Sequence, residues 1–208
     1  VNNKLIQDYQ DFVNQFEVSR ETSDRLEGFV SLLKEWNERL NLIGASTVPD
    51  LWMRHVVDSG QLIKYLNKDD VIYDFGSGAG FPGIVLSLLG IEKMHLVESD
   101  SRKAKFLQEA AKVSNNQILV HNKRIEAINI EKADVITARA LAPLDKMLSM
   151  ICRFSSVTGR ILLFKGRNVD QEILQACKKF KFDYDLYPSV VANDSWIIEI
   201  KNLTSIKR

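Results

Sequence analysis

The stretch that most constrains the chain runs from Val71 to Gly83 and reads V-I-Y-D-F-G-S-G-A-G-F-P-G. Val71 to Phe75 is a short apolar run rich in β-formers, ending in the carboxylate Asp74 and followed directly by glycine, and it reads as a buried strand feeding a turn. Gly76, Gly78, Gly80 and Gly83 let main-chain N–H groups lie open to a ligand where any side chain would collide. Pro82 suits the first turn of a helix, and Ile84 to Leu89 continue it as an apolar segment. Strand, glycine loop and helix in this order form the first βα turn of an open α/β sheet, where nucleotide-like ligands bind beyond the strand ends.

The glycines alone leave the ligand open. Gly78, Gly80 and Gly83 satisfy G-x-G-x-x-G, and Glu98 follows at the distance where a dinucleotide enzyme holds a ribose. Charge separates the candidates, because no Lys or Arg occurs from Phe75 to Ile91, whereas Asp74 and Glu98 are both expected at strand ends facing the crevice. A pyrophosphate would meet two carboxylates there, while a cationic ligand with an adenosine group would find partners for its ammonium and its ribose. The site therefore reads as one for S-adenosylmethionine. An NAD-dependent oxidoreductase shares the loop and Glu98, and a non-catalytic RNA-binding module shares the basic residues described below; these are the alternatives.

With 208 residues, 45% of them hydrophobic, the chain can bury one sizeable core. About seventy residues before the glycine loop carry apolar side chains at helical spacing (Leu5, Tyr9, Phe12 and Phe16, then Leu26, Phe29, Val30, Leu33 and Trp36) and read as a helical cap. Thr47 with Asp50 reads as a helix start, and Arg54 with Asp58 as a surface ion pair on that helix. After the loop, strands at Met94–Glu98, Gln117–Val120, Ala133–Thr137 and Arg160–Phe164 alternate with helices, and the hairpin Tyr184–Val191 with Ser195–Lys201 closes the chain. The expected fold is α/β: a Rossmann-like, mostly parallel twisted sheet with helices on both faces and one antiparallel strand, residues 68–208, preceded by a helical extension, residues 1–67.

No apolar run of eighteen residues exists and the N-terminal V-N-N-K-L-I-Q-D is not signal-like, so cytoplasm is the expected location. Cys152 and Cys177 read as reduced, mostly buried thiols, and His55, His95 and His121 have no metal-ligand spacing, so no metal is expected. A net charge of +1 excludes a grossly basic nucleic-acid binder but allows a local patch.

Several pieces together resemble one family along nearly the whole chain: Asn41-Leu42, Arg54-His55 with Asp58-Ser59, the loop ending Phe81-Pro82-Gly83, Glu98-Ser99, Arg102-Lys103, Arg124-Ile125-Glu126, Ala138-Arg139-Ala140 and Lys165-Gly166. The chain resembles the bacterial small-subunit (16S) ribosomal RNA guanine-N7 methyltransferases, also called glucose-inhibited division protein B. The resemblance implies that Gly76, Gly78 and Phe81 line the methyl donor, Glu98 approaches its ribose, Ile125 and Glu126 its adenine, and Arg139 the donor pocket. It brings in Arg54 and His55 as substrate-side residues, and implies a monomer acting on 16S ribosomal RNA or a small-subunit assembly particle.

The residues suit that chemistry. Guanine N7 carries an in-plane lone pair and no proton, so attack on a sulfonium methyl needs no general base and no catalytic residue beyond those that position the reactants. The stretch Thr137-Ala138-Arg139-Ala140 lacks the Asn/Asp-Pro-Pro-aromatic pattern of exocyclic-amine enzymes, and neither cysteine has a Pro-Cys context, which favours an N7 or ribose target. Arg102, Lys103, Lys105, Lys123, Arg124, Arg139, Lys165 and Arg167 recur at or after strand ends and are expected to form a basic rim for RNA phosphates, with Arg124 and Lys165 as substrate contacts. Lys103 and Lys105 read better as solvated helix charges.

Overall fold

The computed structural model describes residues 5–206. Val1–Lys4 and the last two positions, which carry the ends of the expected segments 1–67 and 68–208 and half of the signal-peptide reading, lie outside the described residues.

Among the described residues seven strands form one sheet: β1 (Val71–Phe75), β2 (Lys93–Val97), β3 (Gln117–His121), β4 (Ala133–Ala138), β5 (Thr158–Lys165), β6 (Phe180–Pro188) and β7 (Trp196–Ser205). Their order is β3-β2-β1-β4-β5-β7-β6, parallel throughout except for β7, which runs antiparallel to both β5 and β6. The order reverses between β1, which continues to β2, and β4, so a crevice opens at the carboxyl ends of these strands.

Strand alternation builds two cores. Ile72, Leu96, Val135 and Ile197 face one side of the sheet; their chain neighbours Tyr73, Val97, Ile136 and Ile198 face the other. The first side is covered by α4 (Gly83–Leu88), α5 (Ser101–Ala111) and the long α2 (Arg20–Leu40), whose Leu26, Phe29, Val30 and Leu33 are buried among them. Ser19 caps α2 by accepting from the Thr22 amide, and Asn41 ends it in the left-handed region at φ 45°. The second side is covered by α6 (Leu144–Ile151) and α7 (Val169–Ala176). A third, smaller cluster joins α1 (Tyr9–Gln15), through Phe12, to Ile6, Val57 and Val190.

Four expectations need correction. Thr47 does not start a helix: it closes a 3-10 turn, Ala45–Thr47, and the next helical segment begins as a π-helical turn, Trp52–Val57, that passes into α3 (Asp58–Gly60). Asp58 forms its ion pair not with Arg54 but with Arg139, at 3.3 Å, because Arg139 reaches over from the end of β4 and Arg54 stays exposed. Cys177 is exposed rather than buried, because it follows the last residue of α7. The last hairpin is placed differently from the expected Tyr184–Val191 and Ser195–Lys201: β6 runs from Phe180 to Pro188, taking in the end of the segment Gln171–Phe180 whose pattern reads as a helix, and β7 extends to Ser205.

Candidate functional site: a methyl-donor crevice

The glycine loop folds the way it does because its polar atoms have local partners. The amides of Gly76 and Ser77 donate to the Val97 carbonyl at 2.9 and 3.2 Å, and the Ser77 hydroxyl donates to the Asp74 carbonyl at 2.8 Å. Gly83 lets α4 press onto β2, where a Cβ would collide with Leu96 Cδ2 and meet Asp74 Oδ2 at 2.9 Å. Gly78, at φ +53°, turns its amide toward Glu98 Oε2 at 3.0 Å.

Asp74 does not face the crevice. It is fully buried, accepting from the Thr137 hydroxyl at 3.0 Å and the Gly83 amide at 3.3 Å. Burial raises its pKa to about 6, against the pull of Ser77, Thr137, Gly83 and Arg139. Its work is to tie the end of β1 to β4 and to the start of α4. The ammonium partner that the sequence assigned to it is thereby withdrawn.

Glu98 is placed as the sequence anticipated, at the end of β2 beside the loop. It is 8% exposed, and its second oxygen accepts from the Asp100 amide at 2.7 Å. Two of roughly four lone-pair positions remain for a ligand. Asp100, not Glu98, caps α5, accepting from the Arg102 and Lys103 amides at 2.8 and 3.3 Å. A cavity of about 380 Å³ lies against these groups, lined by Gly76, Gly78, Glu98, Ile125, Glu126 and Arg139, with Lys103, Lys123 and Arg124 at its edge. Six of the seven residues assigned to the donor thus share one wall system. Phe81 stands apart: it is buried behind the loop, edge-on to Phe29 at 5.5 Å and stacked on His55 at 5.1 Å.

Arg139 leaves β4 and stands between this cavity and a second one of about 600 Å³ that is lined by Asp58, Phe164, Lys165 and Trp196. Its guanidinium lies 5.1 Å from the centre of the Phe81 ring and donates to the Arg54 carbonyl at 3.0 Å, to Asp58 Oδ2 at 3.3 Å and to His55 Nδ1 at 2.8 Å. Arginine has no acceptor, so His55 must accept on Nδ1 and carry its proton on Nε2, which donates to the Thr47 hydroxyl at 2.9 Å; Thr47 in turn donates to the Gly44 carbonyl at 2.8 Å. Burial, then the charges of Arg139 and Arg54, lower the His55 pKa to about 4 and keep the ring neutral. Burial also raises Asp58 and lowers Arg139, each opposed by the attraction between them. Three of the five guanidinium donors are used on the extension, leaving two for a ligand.

The other substrate-side residues divide. Arg54 and Arg124 are exposed, and Arg124 lies at the donor cavity. Lys165 does not reach the rim: its side chain is 6% exposed and committed to Glu172 at 2.8 Å and the Ala142 carbonyl at 3.2 Å. Glu172 also accepts from the Leu144 amide at 2.7 Å, so the pair fastens the segment that follows Arg139. Asp58, Thr47 and Leu141 were missed. Leu141 covers the loop, its Cδ1 2.7 Å from where a Cβ on Gly76 would stand. Among the described residues no three His, Cys, Asp or Glu side chains are grouped to hold a metal.

A sheet ordered 3-2-1-4-5-7-6 with a glycine turn after β1 and an acidic residue ending β2 defines the Rossmann-like methyltransferase fold. Solved structures of that class superpose on it: magnesium protoporphyrin IX methyltransferase from Synechocystis PCC 6803 with bound SAM gives a TM-score of 0.59 at 13% identity, covering 84% of this chain and 97% of that one. The ribosomal protein L11 methylase from Lactobacillus delbrueckii subsp. bulgaricus gives 0.56 at 19% identity, covering 71% and 78%. The chain belongs to the GidB family, rRNA small subunit methyltransferase G, whose family model matches residues 22–195. The ribosomal RNA small subunit methyltransferase G of Orientia tsutsugamushi (strain Boryong) is 46% identical over 199 residues, 95% of this chain and 100% of the relative. That of Rhodospirillum rubrum is 42% identical over 179 residues, 86% and 89% respectively.

Proposed function

We propose that this chain transfers a methyl group from S-adenosylmethionine to N7 of one guanosine in small-subunit (16S) ribosomal RNA, working as a monomer in the cytoplasm on the RNA or on a partly assembled small subunit. Family membership supports methyl transfer to small-subunit RNA over the oxidoreductase and the non-catalytic module. Among the described residues no helix is long and apolar enough to cross a membrane.

The cavity fits the donor. Bare backbone at Gly76 and Gly78 leaves amides and open space, Glu98 keeps lone pairs for two ribose hydroxyls, and Ile125 beside Glu126 offers an apolar face and a polar edge to adenine. When bound there, S-adenosylmethionine supplies an electrophilic sulfonium methyl. The two remaining donors of Arg139 suit a carboxylate, and the Nη1 contact to Asp58 leaves the seam between the cavities close to neutral.

That neutrality carries the choice of N7. Transfer moves positive charge from sulfur onto the guanine ring, and an unpaired guanidinium beside the ring would oppose it. Asp58 cancels that charge, and each of its oxygens already takes a hydrogen bond, one from Arg139 at 3.3 Å and one from Gln61 at 2.8 Å. His55 has both ring nitrogens engaged, and Asp74 is sealed under the loop. N7 has no proton to lose and so asks nothing of these groups, and holding donor and base in line can supply on the order of 7 to 11 kcal/mol.

N7-methylguanosine is cut by borohydride followed by aniline. Ribosomal RNA from cells lacking the protein should lose one small-subunit cleavage site, and purified protein with S-adenosylmethionine should restore it. Identical cleavage with and without the protein rejects the reading.

A further inference from the structure

On the side of α5 away from the donor cavity lies a pocket of about 300 Å³, lined by Glu35, Trp36, Arg39 and Leu40 of α2 and by Arg102 and Lys105 of α5. We propose that this pocket is a docking subsite for a single-stranded RNA segment, with one base stacked on Trp36 and its flanking phosphates held by Arg39, Lys105 and Arg102. The inference rests on the RNA reading given above.

Three observations carry it. The first is charge: three cations and one carboxylate, Glu35, line the pocket, and Arg39 and Lys105 are exposed with no ion-pair partner among the described residues. Arg102 is bound to Asp100 at 3.3 Å but keeps 76% of its side chain exposed, so a phosphate can still reach it. Unpaired cations converging on a concavity attract a polyanion more strongly than cations already neutralised around it.

The second is the aromatic wall. Trp36 is only partly buried, and it is braced from behind by Phe106, with ring centres 5.7 Å apart. A braced, partly exposed indole among cations is the arrangement on which single-stranded bases stack without regard to sequence.

The third is continuity with the crevice. Arg102 lines this pocket and Lys103, the next residue, lines the donor cavity. The two sites are therefore separated by the first turn of α5, about one helix diameter of 10–12 Å. A strand that presents its target base to the crevice passes Lys103, Lys123 and Arg124 on the way to Trp36. The extension would then bind RNA directly as well as cover the core.

The test uses the whole chain and a fluorescein-labelled single-stranded oligoadenylate of twenty nucleotides. The variant pair Arg39→Glu with Lys105→Glu changes exposed side chains only, and an unchanged melting temperature and unchanged S-adenosylmethionine affinity confirm that it is folded. Its oligonucleotide affinity at low salt should fall roughly tenfold or more, and the slope of log K against log salt should drop by about 1.4, two phosphates at about 0.7 each. Trp36→Leu should weaken binding roughly tenfold without changing the slope. Wild-type affinity and slope in both variants overturn the subsite, even while the wild-type protein methylates small subunits and so upholds the function. Absence of any oligonucleotide binding by the wild-type chain overturns the subsite too, while the function stands or falls with the borohydride and aniline cleavage.

Discussion

The two walls of the crevice are built on different principles. The donor wall is local around Glu98, which takes the backbone amides of Gly78 and Asp100 on its two oxygens. The opposite wall hangs on Arg139, whose partners Arg54, His55 and Asp58 lie 81 to 85 residues earlier in the chain. The first wall can form wherever β1 and β2 pair. The second exists only when the helical extension is docked, so the two walls can be disturbed separately by mutation, with Arg139 reaching both cavities.

The largest expected effect is at Glu98. Glu98→Ala should weaken S-adenosylmethionine binding by about 1.5–3 kcal/mol, roughly ten- to hundredfold by calorimetry, with the extension still docked. A lowered melting temperature with unchanged donor affinity would make Glu98 a brace for the loop and nothing more.

Next comes Arg139→Ala. It should weaken donor binding and cost about 1 kcal/mol of stability, between an exposed and a buried pair, because the side chains of Arg139 and Asp58 keep 15% and 21% exposure. Arg139→Lys should not restore either property, since an ammonium cannot span Arg54, Asp58 and His55 together. In a double-mutant cycle with Asp58→Asn the coupling should be on the order of 0.5–3 kcal/mol. Additive effects would dissolve the idea of a single non-local wall.

Acid should open the Arg139 wall first. His55 is held at about 4 against an ordinary 6.5, so between these values the unfolded chain binds the extra proton and stability falls as pH falls. His95, also lowered to about 4 by burial and by His121, acts in the same direction, while Asp74, raised to about 6, acts oppositely over part of the range. The comparison is therefore between variants: His55→Gln should lose less stability than wild type from pH 6.5 to 4 in thermal melts. An equal loss would mean that His55 does not control this wall.

The smallest effect belongs to Thr47→Val, which leaves the Nε2 proton of His55 without its acceptor. It should cost about 0.5–1.5 kcal/mol in denaturant titration and leave donor affinity unchanged. A large loss of donor affinity would mean that the two walls are not separable.

What was legible in the sequence follows the same division. The strand at Val71, the loop, Glu98 and the run of mostly parallel strands could be read because each depends on neighbours close in sequence or on simple alternation. Asp74 was misread because a carboxylate after a strand looks the same whether it faces a ligand or a buried hydroxyl, and Thr137 supplies the latter. Lys165 looked like a phosphate contact until Glu172 arrived from α7. Arg54 and Asp58 have the spacing of a surface pair, but Arg139 comes from the end of β4 to take the carboxylate. No local pattern announces a partner for Asp58 that lies 81 residues away.

Gln61 adds a matter of timing. Fully buried, it donates to Asp58 Oδ1 and, at 3.2 Å, to the Ser189 hydroxyl, while its own carbonyl accepts from the Val190 amide at 3.0 Å. Val190 also packs with Ile6 and Phe12 and accepts from the Ile6 amide at 2.8 Å. Residues around Gln61 therefore wait, during vectorial synthesis, for a segment translated more than a hundred residues later. Loop-closure entropy grows only about 0.6 kcal/mol per doubling of length, so the delay costs little at equilibrium but places these contacts late in folding. A nascent chain ending after β4 already contains the loop and Glu98, yet lacks the last tie on the helix that carries His55 and Asp58.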